Sequence, residues 1–228
     1  MFLQAKNVLV VAAHPDDEML GCGGTLARLR SAGARVCVLL LGEGPTSRVS
    51  TDNDEARNGA SFSAKAAAAA LDIEDIRFAS LPDNRFDSLP LLEIIKRIEA
   101  VGQEVQPDLI FTHHAGDLNI DHSVANRAVM TAFRPLPGEP SRTVLGFEVL
   151  SSTEYSPPGL GAPFQPTLYV NIATYLERKL QALEAYATEM RPWPHPRSYK
   201  TVEHLARLRG SQCGCEAAEA FVLLRATF

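Results

Sequence analysis

The chain has 228 residues, 46% of them hydrophobic, and a formal net charge of −5. This size suits one hydrophobic core, so we expect a single domain over residues 1–228. The acidity is mild and no basic run occurs, which argues against nucleic acid as a partner and favours a small-molecule or glycan substrate.

The N-terminal segment, MFLQAKNVLVVAAH, lacks the basic region of a signal peptide. No apolar stretch of the sequence approaches the roughly 20 residues that span a bilayer. We therefore expect no integral membrane segment and a cytoplasmic location.

Short apolar segments alternate with helix-like segments in the first half of the chain. The former are rich in β-branched and aromatic residues, as in buried strands, and the latter carry apolar residues at helical spacing. This alternation predicts right-handed crossovers and an α/β, Rossmann-like fold, a mostly parallel sheet with helices on both faces. Strands are predicted at 8–13, 35–42, 76–80 and 108–113, and helices at 23–31, 55–71 and 91–105.

The pattern loosens in the second half, around the segment SSTEYSPPGLGAPFQP. Its prolines and glycines exclude a regular element, and loops of this length are commonly functional. Tyr155, Phe164 and the later Trp193 could stack on a sugar ring or contact a neighbouring subunit, so a homo-oligomer stays open beside ordinary loop packing. Helices are predicted at 123–133, 172–188 and 201–209, and strands at 144–150, 168–170 and 218–228.

Residues 12–18 read AAHPDDE, directly after the first predicted strand. Parallel sheets bind ligands beyond the carboxyl ends of their strands, where the connecting loops meet. A helix cap explains one aspartate at this place, but three acids and a histidine exceed that need. Adjacent carboxylates in a partly dry cleft cost on the order of several kcal/mol without a cation. The motif therefore predicts a divalent metal ion.

A second polar segment, HHAGDLNIDH, follows the fourth predicted strand and faces the same sheet edge. His14 and Asp17, three residues apart across a turn, can converge on one ion, and His122 is the best-placed third ligand. Two histidines and one carboxylate with an open position form a recurrent catalytic zinc arrangement. Asp16 is then the natural general base for a water at the open position.

The segment AAHPDDEMLGCGG, with DLNIDH opening a later helix, resembles the LmbE-like, PIG-L type of zinc-dependent N-deacetylases. These enzymes act on molecules that contain N-acetylglucosamine, and LPDNRFD and AEAF also resemble family segments. The resemblance implies His14, Asp17 and His122 as metal ligands and Asp16 as the base, with zinc-bound water attacking the acetamide carbonyl. Histidine and carboxylate ligands leave Fe²⁺, Co²⁺ and Mn²⁺ open as alternatives to Zn²⁺.

One position departs from the family pattern. Many members read histidine, proline, aspartate, histidine at the last ligand, whereas residues 119–122 here read NIDH. The family's first histidine stabilises charge and the aspartate, here Asp121, orients it, so Asp121 is a predicted catalytic residue. Asn119 can donate a hydrogen bond but cannot carry a proton. Its place could be taken by one of three histidines, for each of which a surface or structural role is the alternative: His113, His114 and His195.

Three further polar residues are candidates for substrate contacts. Asp83, after the third predicted strand, matches a family position near substrate hydroxyls, and a simple turn aspartate is the alternative. Arg57 could meet a phosphate or sugar oxygen, although it lies about one turn from the family's helix arginine. Arg197, in PHPRS, could meet a phosphate or only a carbonyl.

The leading hypothesis is a metal-dependent hydrolase that removes the N-acetyl group from an N-acetylated amino sugar or glycoconjugate. Two alternatives stay open, a zinc-dependent hydratase of a small unsaturated keto acid and a non-catalytic metal-binding module. A structural ion would not need Asp16, and four protein ligands would close its site. The cysteines are expected to be reduced, mostly structural thiols, and CGC at 213–215 lacks the second cysteine pair of a metal site.

Overall fold

The computed structural model describes the backbone of residues 2–44 and 53–227 and the side chains of residues 3–44 and 59–227. Its strands are β1 (Asn7–Ala12), β2 (Arg35–Gly42), β3 (Asp75–Leu81), β4 (Leu109–His113), β5 (Thr143–Phe147), β6 (Leu168–Asn171) and β7 (Ala218–Ala226). They form one sheet in the order β3-β2-β1-β4-β5-β7-β6. The first five strands are parallel, and β7 runs antiparallel to both β5 and β6.

Six helices of the described residues cover the two faces of this sheet: α1 (Asp17–Ser31), α2 (Asn53–Ala70), α3 (Leu91–Val105), α4 (Ile120–Ala132), α5 (Leu176–Glu184) and α6 (Tyr199–Cys213). Side chains alternate across β1, so Val8 and Val10 face a core that includes residues of α1, α2, α5 and α6. Leu9 and Val11 face a second core formed with α3 and α4. The predicted α/β fold with helices on both faces is confirmed. No helix of the described residues is long and apolar enough to cross a bilayer.

Helix α1 begins six residues before the predicted start at residue 23, so the acidic motif lies in its first turn. Two glycines of this helix, Gly21 and Gly24, are required by its packing. A Cβ on Gly21 would lie 2.3 Å from the Phe147 ring, and one on Gly24 would lie 2.7 Å from Ile172. Two other predicted elements are shorter in the structure. The predicted helix 172–188 corresponds to α5, and the predicted strand 144–150 corresponds to β5.

A buried ion pair joins α1 to the second half of the chain. Lys179 Nζ donates to Glu219 Oε1 over 2.7 Å and to the Leu20 carbonyl over 2.8 Å. The Glu219 carboxylate also accepts from the backbone amides of Gly24 and Thr25, at 2.9 and 2.6 Å. Because both charged side chains are almost fully buried, this pair fixes the position of the helix that carries the acidic motif.

Replacing Lys179 with alanine is expected to destabilise the fold. The substitution leaves the buried Glu219 carboxylate without its cation, which should lower the free energy of unfolding by about 3–5 kcal/mol. Chemical denaturation measures the change. The adjacent Arg178→Ala is the matched control, because its ion pair with Asp72 is exposed and is expected to contribute less than about 1 kcal/mol. Equal losses in the two variants would contradict the role of the buried pair.

Candidate metal and catalytic site

A cavity of about 380 Å³ opens at the carboxyl edge of the sheet. Residues that follow β1, β2 and β3 contribute to its wall, together with the segment between α5 and α6. Asp16 lines this cavity as the residue before α1, and its backbone is left-handed, with φ 107°. Such a conformation is unfavourable for a residue with a side chain and is concentrated at functional sites. The turn HPDDE therefore has the character of a constrained, functional turn.

Three potential ligands for a cation converge beside the cavity. The carboxylate atom Asp17 Oδ2 lies 3.3 Å from His14 Nδ1 and 3.3 Å from His122 Nε2. Two polar atoms of this group, Asp17 Oδ1 and His122 Nε2, are buried and form no hydrogen bond. Unsatisfied buried polar atoms are costly unless an ion or water binds them. The donor set of two imidazoles and a carboxylate thus fits a divalent ion such as zinc.

Each of the two histidines also has a carboxylate partner on its other ring nitrogen. His14 Nε2 lies 3.0 Å from Asp121 Oδ2 and 3.2 Å from Asp83 Oδ1. His122 Nδ1 lies 3.1 Å from Asp117 Oδ1. Such pairs set the ring orientation and the tautomer of metal-binding histidines. Asp121 therefore orients His14, whereas the sequence resemblance implied that it orients the side chain at position 119.

The acidic partners are themselves held in place. Asp121 Oδ1 accepts from the Phe86 amide over 2.9 Å, and Asp117 accepts from the hydroxyls of Ser152 and Thr153. Burial opposes ionisation of Asp117, but the hydrogen bonds from His122 and these hydroxyls outweigh it and lower its pKa to about 2. Both carboxylates are thus rigid acceptors for histidine N–H groups.

Neighbouring acids also raise the pKa of His14. Burial opposes its charged form, but hydrogen bonds with Asp121 and Asp17 outweigh the burial and raise its pKa to about 10. Burial also opposes ionisation of Asp17, yet the His122 imidazole and the hydrogen bonds from His122 and His14 hold the pKa of this carboxyl well below its usual range. The Asp17 carboxylate is therefore ionised, and a cation that binds His14 through Nδ1 would displace a proton from that atom.

Asp16, the predicted base, is held by Arg197 from the segment between α5 and α6. Arg197 Nη1 donates to Asp16 Oδ2 over 2.8 Å, and Arg197 Nε donates to Ser151 Oγ over 2.8 Å. Burial raises the pKa of the Asp16 carboxyl to about 7, although the guanidinium opposes this shift. A carboxyl with this pKa can both accept and return a proton near neutral pH.

The buried Glu18 carboxyl accepts hydrogen bonds from this turn and from Tyr186. Its Oε2 atom accepts from the Asp16 amide over 3.1 Å, and its Oε1 atom accepts from the Tyr186 hydroxyl over 2.6 Å. Burial raises the pKa of Glu18 to about 8, against the hydrogen bond from Tyr186. Glu18 thus links the turn before α1 to the residues that follow α5.

Asn119 and Asp83 both line the cavity. Asn119 is the N-cap of α4, because its Oδ1 atom accepts from the Asp121 amide over 2.8 Å. Its Nδ2 atom donates to Asn84 Oδ1 over 3.2 Å, and Asn84 Nδ2 donates to Asp83 Oδ1 over 3.2 Å. The capping bond fixes the orientation of the Asn119 amide, so its NH₂ group is held next to Asn84, another residue of the cavity wall.

The three histidines considered as replacements at position 119 do not line the cavity. His113 is fully buried and its Nε2 accepts from the Ala13 amide over 2.8 Å. Burial and the nearby His122 hold the pKa of His113 well below its usual range, so it is neutral. His114 is buried against the Ala162 carbonyl, and the exposed His195 accepts from the Arg197 amide.

The structure places none of the other predicted substrate contacts, an arginine and three aromatic residues, on the cavity wall among the side chains that it describes. Arg57 lies in α2, and its side chain falls outside the described residues. Phe164 packs on His114, while Tyr155 and Trp193 are exposed and do not line the cavity.

The sequence analysis assigned no role to five residues that contact the site: Asp117, Glu18, Ser152, Thr153 and Tyr186. The first two lie inside the quoted motifs, where the surplus of acids was the available signal.

Comparisons with known proteins agree with these motifs. Residues 9–133, more than half of the chain, match the family model described as PIG-L: GlcNAc-PI de-N-acetylase. A protein of Bacillus cereus, named as a probable N-acetyl-alpha-D-glucosaminyl L-malate deacetylase, is 28% identical over 190 residues, which cover 81% of this chain and 84% of the relative.

Two solved structures share the fold. An N,N'-diacetylchitobiose deacetylase from Pyrococcus horikoshii has a TM-score of 0.80 at 21% identity, covering 98% of this chain and 85% of that chain. The 4-carboxy-2-hydroxymuconate hydratase from Pseudomonas putida has a TM-score of 0.78 at 22% identity, covering 98% of both chains. At these identities the similarity concerns the fold, which serves both kinds of reaction in these proteins.

The carboxylate partner of His122 provides a test of the metal site. Asp117→Asn keeps the shape of the side chain but weakens the orientation and basicity of His122, so affinity for Zn²⁺ or Co²⁺ should fall about 10–100-fold. A competition titration with a chromophoric chelator measures the affinity. The exposed Asp87→Asn is the control and should leave the affinity unchanged. Unchanged affinity in Asp117→Asn, with the fold intact by circular dichroism, would contradict the assignment.

Proposed function

Because this chain belongs to the PIG-L family, we propose that it is an N-deacetylase, which hydrolyses the acetamide of an N-acetylated amino sugar or glycoconjugate. The observation that carries the proposal is the convergence of His14, Asp17 and His122 beside a cavity that His14 and the buried Asp16 line. The names of the relatives support an N-acetylglucosamine-type glycoside as the substrate class.

His14, Asp17 and His122 would hold the cofactor, a divalent ion and in the first instance Zn²⁺. When bound, such an ion supplies Lewis-acid chemistry, which polarises an amide carbonyl and makes water more acidic. Of these three residues His14 lines the cavity, next to the proposed base Asp16. A substrate in the cavity would therefore lie against His14 and Asp16, as a catalytic rather than a structural metal site requires.

Asp16 is the proposed general base and acid. It takes a proton from the water that attacks the acetamide carbon and returns a proton to the nitrogen as the C–N bond breaks, so acetate and a free amine leave. Arg197 Nη1 donates to Asp16 Oδ2 over 2.8 Å and so fixes the orientation of this carboxylate. Asp16 and His14 both line the cavity. Arg197 is thus a positioning residue for Asp16.

Asn119 is the proposed donor for the acetamide oxygen, on which negative charge develops during attack. Its NH₂ group cannot rotate away, because its Oδ1 atom is held by the Asp121 amide. A preorganised neutral donor stabilises an oxyanion without carrying a proton. Asp83 and Asn84, on the same wall, would bind sugar hydroxyls. A cavity of about 380 Å³ is at the small end of ligand sites and suits one sugar ring with the remainder outside.

The activity is tested by acetate release from a panel of N-acetylated sugars and glycoconjugates, with and without a chelator. We expect release that stops on chelation and returns when Zn²⁺ is added back. Hydration of an unsaturated keto acid by the same preparation, with no acetate released from any N-acetyl compound, would overturn the proposal in favour of a hydratase.

Substitution of the base is expected to separate metal binding from chemistry. Asp16→Asn removes proton transfer at this position but no metal ligand, so kcat should fall about 10²–10⁴-fold while the bound metal is retained. Acetate-release kinetics and metal analysis of the same preparation give both quantities. The matched control is His14→Ala, in which metal and activity should be lost together. Full activity of Asp16→Asn would show that another residue is the base.

Asn119 is tested by a substitution that preserves the helix cap. Serine also caps helices, so Asn119→Ser keeps the acceptor for the Asp121 amide and removes only the NH₂ donor. We expect kcat to fall about 10²-fold with little change in KM or metal content. A rise in KM at unchanged kcat would instead show that Asn119 binds the ground-state substrate.

A further inference from the structure

Two cysteines lie together at the carboxyl end of α6, outside the site described above. The Sγ atoms of Cys213 and Cys215 are 3.5 Å apart, and Cys213 is exposed. The other cysteines, Cys22 and Cys37, are buried in the two cores beside the sheet. Packing therefore explains the inner pair of thiols but not the exposed thiol of Cys213.

A structural metal does not explain the pair either. Zinc sites built from thiolates use four ligands, and this segment supplies two. Among the described residues, the groups of side chains that could hold an ion both contain His14, and neither includes Cys213 or Cys215. The two thiols thus have each other as the nearest partner of the same chemistry.

The backbone between the cysteines can bring the sulfur atoms closer. Gly214 ends α6 in a left-handed conformation, with φ 78°, and no residue from elsewhere in the fold lies within 4 Å of the place where its Cβ would be. Besides their contact with each other, the thiols donate weak S–H hydrogen bonds to carbonyls, Cys213 to Gly210 at 3.5 Å and Cys215 to Ala217 at 3.3 Å. A disulfide needs the two sulfur atoms roughly 1.5 Å closer. Rotation of the two cysteine side chains, with small changes in the backbone of Gly214, can supply this shift.

We propose that Cys213 and Cys215 form a thiol–disulfide exchange site for low-molecular-weight disulfides. The exposed Cys213 thiolate attacks one sulfur of the small disulfide, whose S–S bond breaks and releases one thiol. Cys215 then attacks the Cys213 sulfur of the mixed disulfide, forms the intramolecular S–S bond and releases the second thiol. The two cysteines lose two electrons and two protons in total, and the small disulfide gains both. An excess of small thiol reverses the reaction.

This site is separate from the proposed deacetylase chemistry. Helix α6 begins at Tyr199, close in sequence to Arg197, and its 15 residues place the cysteine pair about 22 Å along the helix axis. Neither cysteine lines the cavity. Oxidation of the pair is therefore expected to leave the rate of acetate release unchanged.

The test uses the full chain and oxidised glutathione as the probe. After acid quenching and alkylation, peptide mass spectrometry should show an internal disulfide in the peptide that holds Cys213 and Cys215, with both free thiols of the pair lost. Cys22 and Cys37 serve as internal controls, because they should remain thiols that are alkylated only after denaturation. Reduced glutathione in excess should restore both thiols.

Single variants separate exchange from simple reactivity. Cys215→Ser should accumulate a stable mixed disulfide at Cys213, because no second thiol is present to resolve it. Cys213→Ser should react about tenfold more slowly, because its remaining thiol is partly buried. The proposal is overturned if the wild-type chain stops at the mixed disulfide, or if it stays reduced under conditions that oxidise a short reference peptide with the same Cys-Gly-Cys sequence.

Discussion

Negative charge concentrated at one edge of the sheet is the constraint on which the site depends. Six acidic side chains, each no more than 5% exposed, surround His14 and His122: Asp16, Asp17, Glu18, Asp83, Asp117 and Asp121. In the described part of the chain, Arg197 is the guanidinium that pairs directly with this group. Burying so many carboxylates without compensation is unfavourable, and the fold meets the problem by pairing them with histidines, amides and hydroxyls. The atoms left without a hydrogen bond, Asp17 Oδ1 and His122 Nε2, are the natural place for a divalent cation.

The rest of the structure holds this group in position. Helix α1 carries the acidic turn at its start and is fixed in its middle by the Lys179–Glu219 pair. Glu18 and Tyr186 join the turn to the segment after α5, and Arg197, in the same segment just before α6, donates to Asp16. The antiparallel β7 brings Glu219 to α1, so the last strand of the chain takes part in positioning the first loop. A site made by early residues therefore depends on contacts with late ones.

Much of the architecture could be predicted from the sequence because it follows from local pattern. Apolar runs separated by amphipathic segments were enough for the α/β class, and the surplus of acids after β1 was enough for a metal hypothesis. The start of α1 was predicted six residues late, and the close contacts of Gly21 with Phe147 and of Gly24 with Ile172 inside this helix could not be predicted either. Periodicity carries no information about such long-range contacts.

The partners of the site residues were also out of reach of sequence reasoning. The ion pair of Asp16 and Arg197 joins residues 181 positions apart, and the pairing of Asp121 with His14 requires the loops after β1 and β4 to meet. Asn119 shows the opposite case, since its identity was visible but its dual role as helix cap and cavity wall was not. The metal ligands and the base stay predictions, supported by geometry.

Anomalous diffraction at the zinc absorption edge, from crystals grown with Zn²⁺, tests the charge-compensation idea most directly. A single strong peak between His14, Asp17 and His122 is the expected result. A peak in the neighbouring group of His14, Asp83 and Asp121 instead, or no peak while these side chains keep their described positions, would contradict it.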